Sequence, residues 1–362
     1  MRQKGRRSFF YWAAAIFITA AVGCGKNDGS KNVQAGAADG STKSPAAAGK
    51  VVLFTSLDRI FSEPIVKEFE RRFGIRVEYV TDTEAVKTVG LFNRLLQRKD
   101  NPEADVFWNN EISRTLVLKE KGVLEKYVSP SAADIPPEYC DEEGYWTGFA
   151  ARGRVILYNT NKVKPEEAPK TLADLVKPIY KGRVVIALPL FGTTATHADV
   201  LFETWGPEKA QKWFLALLAN ECRIAKGNAM ARNLVQDGEA DICLTDTDDA
   251  NESMLKNKPV VMLYPDQEEG GLGALLIPNT LAMIRGGPNP ENAKKLIDFV
   301  LSAEVEGLLA KSESAQMPVR PDVPSPNEMF DPTKVRKMRV DWPKAAQRHA
   351  ETEKFIRDVF VR

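Results

Sequence analysis

The sequence predicts an α/β protein of two lobes, each a mostly parallel sheet flanked by helices, with a ligand cleft between them. Strand-like and helix-like stretches alternate from Val51 onward, and such alternation places helices on both faces of a parallel sheet. The body after the first fifty residues, about 310 residues, is long enough for two domains. Short polar turns follow several strands in both halves of the chain, at the strand ends where open α/β sheets hold their ligands.

Taken in order, Arg2, Lys4, Arg6 and Arg7 form a basic start, and Phe9 to Val22 is an uncharged, mostly apolar run. It falls short of the roughly 20 residues a membrane span needs and has the form of a signal-peptide core. It ends in Ala21-Val22-Gly23-Cys24, which resembles a bacterial lipobox, so residues 1–23 are expected to be removed and Cys24 to be lipidated. An ordinary signal peptide followed by a chance cysteine is the alternative. Residues 24–49 hold Val33 as their one branched apolar side chain and no aromatic residue. Such a stretch buries too little to offset its ordering entropy and reads as a tether.

Val51-Val52-Leu53-Phe54 reads as the first strand, followed by a polar turn through Ser56 and Asp58. Ile65, Phe69 and Phe73 recur at helical spacing before Gly74, which suits a helix C-cap. Ile75 to Tyr79 alternates as a strand. Residues 84–96 read as a helix with Val86, Val89 and Leu96 inward. Ala104 to Trp108 is a strand ending at Asn109-Asn110, and a helix follows to about Lys121. In the second half, Arg183 to Leu188 is a strand that runs into the turn Phe191-Gly192-Thr193-Thr194. Helices cover 195–205 and 207–218. Asp241 to Leu244 is a strand followed by Thr245-Asp246-Thr247-Asp248-Asp249. Strands over 260–264 and 274–284 and helices over 291–301 and 303–311 complete the core.

Several runs together, VVLFTS from Val51, ADVFWNNE from Ala104, GFAARGRVILYNT from Gly148, FGTT from Phe191 and IPNT from Ile277, resemble the type II solute-binding proteins of bacterial ABC importers, closest to the ferric-iron-binding branch. The resemblance spans most of Lys50 to Pro318. It implies a type II periplasmic-binding-protein fold, two lobes joined by crossing strands that close on a ligand. Lobe one is then 50–152 plus 279–362, and lobe two 153–278, with the segment after Pro318 expected to pack on lobe one. It also implies a monomer that partners an ABC permease and its ATPase, at the periplasm or outer cell surface, held there by a lipid anchor. No cofactor is expected. Ferric iron with a bound anion is the leading cargo; a phosphorylated or zwitterionic organic solute, or a role in ligand sensing, is the alternative.

The same resemblance puts Asp248 and Asp249 where the iron branch carries a tyrosine pair, and Asn110 or Glu111 where it carries an acidic ligand. Carboxylates bind hard cations less selectively than phenolates bind ferric ion. Glu111, Asp248 and Asp249 are the candidate metal ligands. Ser56, Asp58, Asn109, Asn110, Glu111, Thr193, Thr194, Asp246, Thr247, Asp248 and Asp249 are the candidate ligand-binding residues. The acidic turn reads either as a cation site or as a solvated turn in which Asp246 caps the next helix. The Gly192–Thr196 turn opens a helix, where amide donors and the helix dipole favour an anion. His197 follows on that helix and reads as structural or as a ligand. Trp108, Trp146 and Tyr158 read as core or as cleft lining.

The net charge is +1, and the four basic residues of the leader exceed that surplus, so the body is slightly acidic. No basic excess points to nucleic acid. With two histidines and no Gly-x-Ser-x-Gly or His-Glu-x-x-His pattern, no catalytic constellation is legible, and the chain is not expected to be an enzyme. Beyond Cys24 there are Cys140, Cys222 and Cys243. Cys222 and Cys243 lie in or beside strands and either pair or remain buried thiols.

Overall fold

The computed structural model describes residues 49–81 and 89–361. The leader, Cys24, the tether, and Val86 on the expected second helix lie outside those residues. No helix among the described residues is long and apolar enough to cross a membrane.

The first half opens with β1 (Lys50–Thr55), α1 (Arg59–Phe73), β2 (Arg76–Thr81), α2 (Val89–Gln97), β3 (Val106–Asn109), α3 (Ser113–Glu120) and β4 (Leu124–Glu125). The long strand β5 (Thr147–Asn159) leads into the second half. There lie β6 (Val184–Ala187), α4 (Gly192–Thr204), α5 (Pro207–Ala219), β7 (Arg223–Ala225), α6 (Asn228–Gln236), β8 (Ile242–Asp246), α7 (Thr247–Leu255) and β9 (Val260–Leu263). The chain returns through β10 (Leu276–Ile284) to α8 (Pro290–Val300) and α9 (Ala303–Lys311), and ends in α10 (Trp342–Gln347) and α11 (His349–Phe360).

Among the described residues ten strands form one continuous sheet, its main path running β2-β1-β3-β10-β5-β8-β6-β7. Each half keeps a parallel set, β2-β1-β3 in the first and β7-β6-β8 in the second. The antiparallel pairings belong to β10 and β5. β5 pairs with β10 as far as Gly153, then with β8 from Arg154. One strand thus belongs to both halves, and all thirteen of its residues are buried, which explains its near-continuous apolar run.

At the crossing, Pro278 pairs with Ala151 and Asn279 with Phe149, so Ala150 bulges out of the ladder. Its φ of 41° lies in the left-handed region that a residue with a Cβ enters at a cost. The bulge is held from three sides. Ala150 N donates to Glu306 Oε1 at 2.9 Å, Asn279 Nδ2 donates to Ala150 O, and Ala151 exchanges two 2.7 Å hydrogen bonds with Met317.

Two expectations change. Phe73 is 41 % exposed; it stacks on Phe69 with ring centroids 4.8 Å apart but lies at the rim of the core. In α2 Leu91 and Leu95 are buried and Leu96 is half-buried against the same core, as expected of Leu96; the side chain of Val89 lies outside the described residues. The tail does not pack on the first half alone. α10 buries Trp342, Ala345 and Ala346 in one apolar cluster with Leu116 of α3 and Val200 of α4. In α11, Ile356 and Phe355 join the second-half core, with Phe355 5.6 Å from Phe202. The large apolar face of α4 needs cover, and the tail supplies it. Cys140, Cys222 and Cys243 are free thiols, and burial pushes Cys222 up to about 12.

Candidate functional site: a buried arginine pair at the crossing strand

The polar turns at the carboxyl ends of β1, β3, β6 and β8 gather where β5 passes between the halves. On the first-half side they form one network. Ser56 Oγ bonds to Asn109 Oδ1 (2.8 Å) and Asn110 Oδ1 (3.0 Å), and it accepts from Asn110 N at 2.9 Å. Asn109 Nδ2 donates to Glu111 Oε1 at 3.1 Å. Ser56, Asn109, Asn110 and Glu111 are all buried. Their partners are mostly one another, so this network ties β1 to β3. Asp58 stands at the mouth of the turn, half-buried, and its charge acts on Arg152.

Glu111 also reaches the other half. Its Oε2 accepts from Thr196 Oγ1 of α4 at 2.7 Å, and both its oxygens accept from Arg114 N at 3.3 Å. Arg114 Nη2 donates to Leu190 O, just before α4, at 2.9 Å. Glu111 is therefore a bridge between halves.

On the second-half side, Asp246 is the centre. It accepts from Arg154 Nη1 (2.6 Å), Thr193 Oγ1 (2.5 Å) and Asn228 Nδ2 (3.0 Å). Thr194 Oγ1 donates to Asn228 Oδ1 at 3.0 Å. Asp246 stands at the N-cap position of α7, yet its side chain makes no capping bond, and Phe191 rather than a threonine is the N-cap of α4. The side chains that a plain reading would assign to helix ends are spent on holding an arginine. Asp248 Oδ2 lies 3.0 Å from Arg152 Nη1, Asp249 accepts from Thr245 Oγ1 at 3.0 Å, and Thr247 Oγ1 accepts from Gly153 N at 3.1 Å.

Asp246, Asp248 and Asp249 offer oxygens all within 4.8 Å of one another. Glu111 does not join them, so the expected metal set of Glu111, Asp248 and Asp249 is not assembled as such. Each aspartate of the trio also faces a guanidinium: Arg154 for Asp246, Arg152 for Asp248, and Arg232, 4.0 Å away, for Asp249. The mutual repulsion expected of this turn is met by arginines of the chain itself.

Arg152 and Arg154 are the residues that sequence reasoning missed. Two apart on β5, they project from one face of the strand. Gly153 between them is where Tyr264 Cε1 and Thr247 Cγ2 would stand 2.9 Å and 3.2 Å from an added Cβ. Both guanidinium groups are buried. Burial disfavours the charge on Arg152, but Asp248, Asp246, Asp58 and Asp249 outweigh it, and its pKa rises. In both arginines Nη1 is held by an aspartate, while Nε and Nη2 are buried without a hydrogen bond. Those two atoms form the side-on face of a guanidinium, the fork that takes two oxygens of a carboxylate or phosphate. A buried donor left unpaired costs about 1–3 kcal/mol, more when charged, so four together mark a place built for an acceptor. The signal was present as RGR within GFAARGR, at the period-2 spacing of a strand.

His197 is buried with Nε2 unbonded. Burial and the Arg154 charge hold it well below its ordinary value, so it is neutral. Trp108 packs on Phe149 in the core, Tyr158 in the second-half core, and Trp146 is buried.

A sheet continued across two α/β halves by shared strands, with polar turns of both halves facing each other, is the architecture of a two-lobed binding protein. The profile of the bacterial extracellular solute-binding proteins matches residues 102–348, and the chain belongs to that family. It is 29 % identical over 292 residues to Iron uptake protein A1 of Synechocystis sp., covering 77 % of this chain and 78 % of the relative. It is 28 % identical over 266 residues to a Salmonella typhimurium periplasmic protein assigned to 2-aminoethylphosphonate binding, covering 72 % and 75 %. The fold matches iron-bound HitA of Pseudomonas aeruginosa with a TM-score of 0.76 at 24 % identity, over 86 % of this chain and 99 % of that one. It matches AfuA of Actinobacillus pleuropneumoniae with fructose-6-phosphate bound, with a TM-score of 0.77 at 22 % identity, over 87 % and 100 %. The relatives are two-lobed binding proteins.

Proposed function

We propose that this protein captures a small organic anion bearing a phosphate or phosphonate group and delivers it to an ABC permease and its ATPase. The observation that carries the reading is the pair of open guanidinium forks on Arg152 and Arg154. A tetrahedral dianion offers enough oxygens for both forks, and Asp246 and Asp248 keep the forks aimed without filling them. The start of α4, joined to the pair through Thr193, adds the positive end of a helix dipole. Relatives named for 2-aminoethylphosphonate and solved with fructose-6-phosphate support the same chemistry.

In this reading lobe one is 50–152 plus the chain from 279 as far as the tail, lobe two is 153–278 with α11 packed on it, and β5 and β10 are the hinge. Cys24 carries the lipid, and the protein works at the periplasm or outer surface. Closing of the lobes around the solute shapes the surface that the permease reads.

Ferric ion with a bound anion is the second reading, favoured by the close oxygens of Asp246, Asp248 and Asp249 and by the iron-binding relatives. Thermal shift separates the two, because a ligand raises the melting temperature by mass action. The purified protein is mixed in turn with 2-aminoethylphosphonate, fructose 6-phosphate, inorganic phosphate, ferric citrate and ferric chloride. A shift with a phosphonate or phosphate ester that disappears in Arg152→Gln upholds the organic anion. A shift with ferric ion alone, surviving in Arg152→Gln, overturns it.

A further inference from the structure

The tail as far as Val361 crosses the molecule from one half to the other. It starts at Arg320, which is anchored in the first half. Its Nε donates to Asp134 Oδ1 (2.8 Å), its Nη1 to Glu306 Oε2 (2.8 Å) and its Nη2 to the carbonyls of Ser131 and Leu301 (both 2.6 Å). The chain then lies along the segment before β10. Ala274 N donates to Arg336 O and Met338 N to Ala274 O, both at 2.9 Å. The approach is so close that a Cβ at Gly273 would stand 2.6 Å from Arg336 O. Beyond it, α10 presses its buried face against α3 of the first half and α4 of the second. α11 finally joins the second half through Phe355 and Phe360, whose rings lie 6.5 and 5.9 Å from Phe214.

At the joint between α10 and α11, His349 Nδ1 lies 2.9 Å from Asp199 Oδ2 of α4. Asp199 is almost wholly buried. α3 and α4 are also the helices joined by the Glu111–Thr196 and Arg114–Leu190 hydrogen bonds. The tail, the bridge of Glu111 and the contact of the two halves therefore meet at one place.

We propose that α10, tethered to α4 through the Asp199–His349 pair at the start of α11, is a latch that stabilises the closed arrangement of the two halves, the one in which Glu111 and Thr196 are bonded, whatever solute is bound. A hinge rotation about β5 and β10 that parts α3 from α4 must pull α10 from one of them. α11 is stapled to the second half by aromatic packing and the Asp199–His349 pair adds a buried polar tie, so α10 travels with α4. The contact that breaks on opening is the one between α10 and α3, within the cluster that Trp342, Ala345 and Ala346 share with Leu116. Its burial counts only toward the closed state, so it shifts the open–closed balance.

The test uses the unliganded protein and small-angle X-ray scattering, so it does not depend on which solute the cleft takes. Ala345→Arg puts a long charged side chain into the buried cluster that α10 shares with Leu116 of α3. It is expected to raise the radius of gyration with the far-UV circular dichroism unchanged, and Ala345→Ser is expected to leave both as in the wild type. His349→Gln, which loosens the α10–α11 joint from α4 without filling the contact, is expected to raise the radius by less. A folded Ala345→Arg protein with the wild-type radius overturns the latch. Should that variant fail to fold, a wild-type radius in His349→Gln overturns it instead.

Discussion

Two buried arginine–carboxylate centres flank the bulge of β5, and they are built differently. In the first half, Arg320 fills its Nε, Nη1 and Nη2 with protein acceptors. Its partner Glu306 accepts from Ala150 N, Val319 N and Arg320 Nη1 at 2.8–2.9 Å. On the other side of the bulge, Arg152 and Arg154 each have one nitrogen held by an aspartate and two without a protein acceptor. Both centres bear the desolvation of buried charge. A saturated centre returns its interactions to the fold; under the proposed function the unsaturated one keeps them for the solute. The difference separates a structural ion pair from a binding site where residue type and burial alone do not.

That contrast can be broken by experiment. The largest effect is expected at the saturated centre. Glu306→Ala leaves Arg320 buried without its main counter-charge and frees the amides of Ala150 and Val319. It is expected to cost about 3–5 kcal/mol of stability, read by urea unfolding, and a loss below about 1 kcal/mol would refute the structural assignment. At the unsaturated centre the effect should fall on binding. Arg152→Gln is expected to weaken the affinity for the anionic solute by about 2–5 kcal/mol, measured by calorimetry, while the unfolding midpoint moves far less than in Glu306→Ala. Equal affinity in the variant would mean that the open fork of Arg152 takes no ligand.

Gly153→Ala sharpens the comparison with a smaller change. The added methyl group meets Tyr264 and Thr247, and overpacking of this kind costs about 1–3 kcal/mol. It should also misplace both arginines, so affinity is expected to fall although no charge is lost. The smallest effect concerns His349. Burial works against its charge, but the hydrogen bond and charge of Asp199 outweigh it, and its pKa lies above the ordinary value. A raised folded-state pKa stabilises fully below the unfolded value of about 6.5 and loses that contribution as the pH rises through the folded value. The difference in melting temperature between wild type and His349→Gln is therefore expected to be greater at about pH 6 than at about pH 9.

Much of the fold was legible because periodicity reports burial directly. The strand at Val51, the helix ending at Gly74 and the parallel sets of both halves all follow from apolar spacing and turn residues. The turns named as ligand-binding do lie at strand ends, but their side chains divide into two networks that spacing does not distinguish. Ser56, Asn109 and Asn110 bond mainly to one another. Thr193 and Asp246 serve Arg154, which lies 92 residues before Asp246 in the chain. The tail was misassigned because its apolar residues announce burial without naming the surface they cover.

By itself the sequence determined the α/β class, the alternation of elements, the polar strand ends and the acidity of the turn after β8. These are properties of single segments, set by side-chain period and local hydrogen-bonding capacity. The tertiary structure decided which charges meet and which donors remain unmet. Asp246 and Asp248 became holders of arginines instead of a free carboxylate cluster because β5 passes antiparallel to β8 and brings Arg154 and Arg152 to the end of that strand. Whether a buried polar atom is satisfied depends on partners distant in the chain, and no local pattern encodes that count.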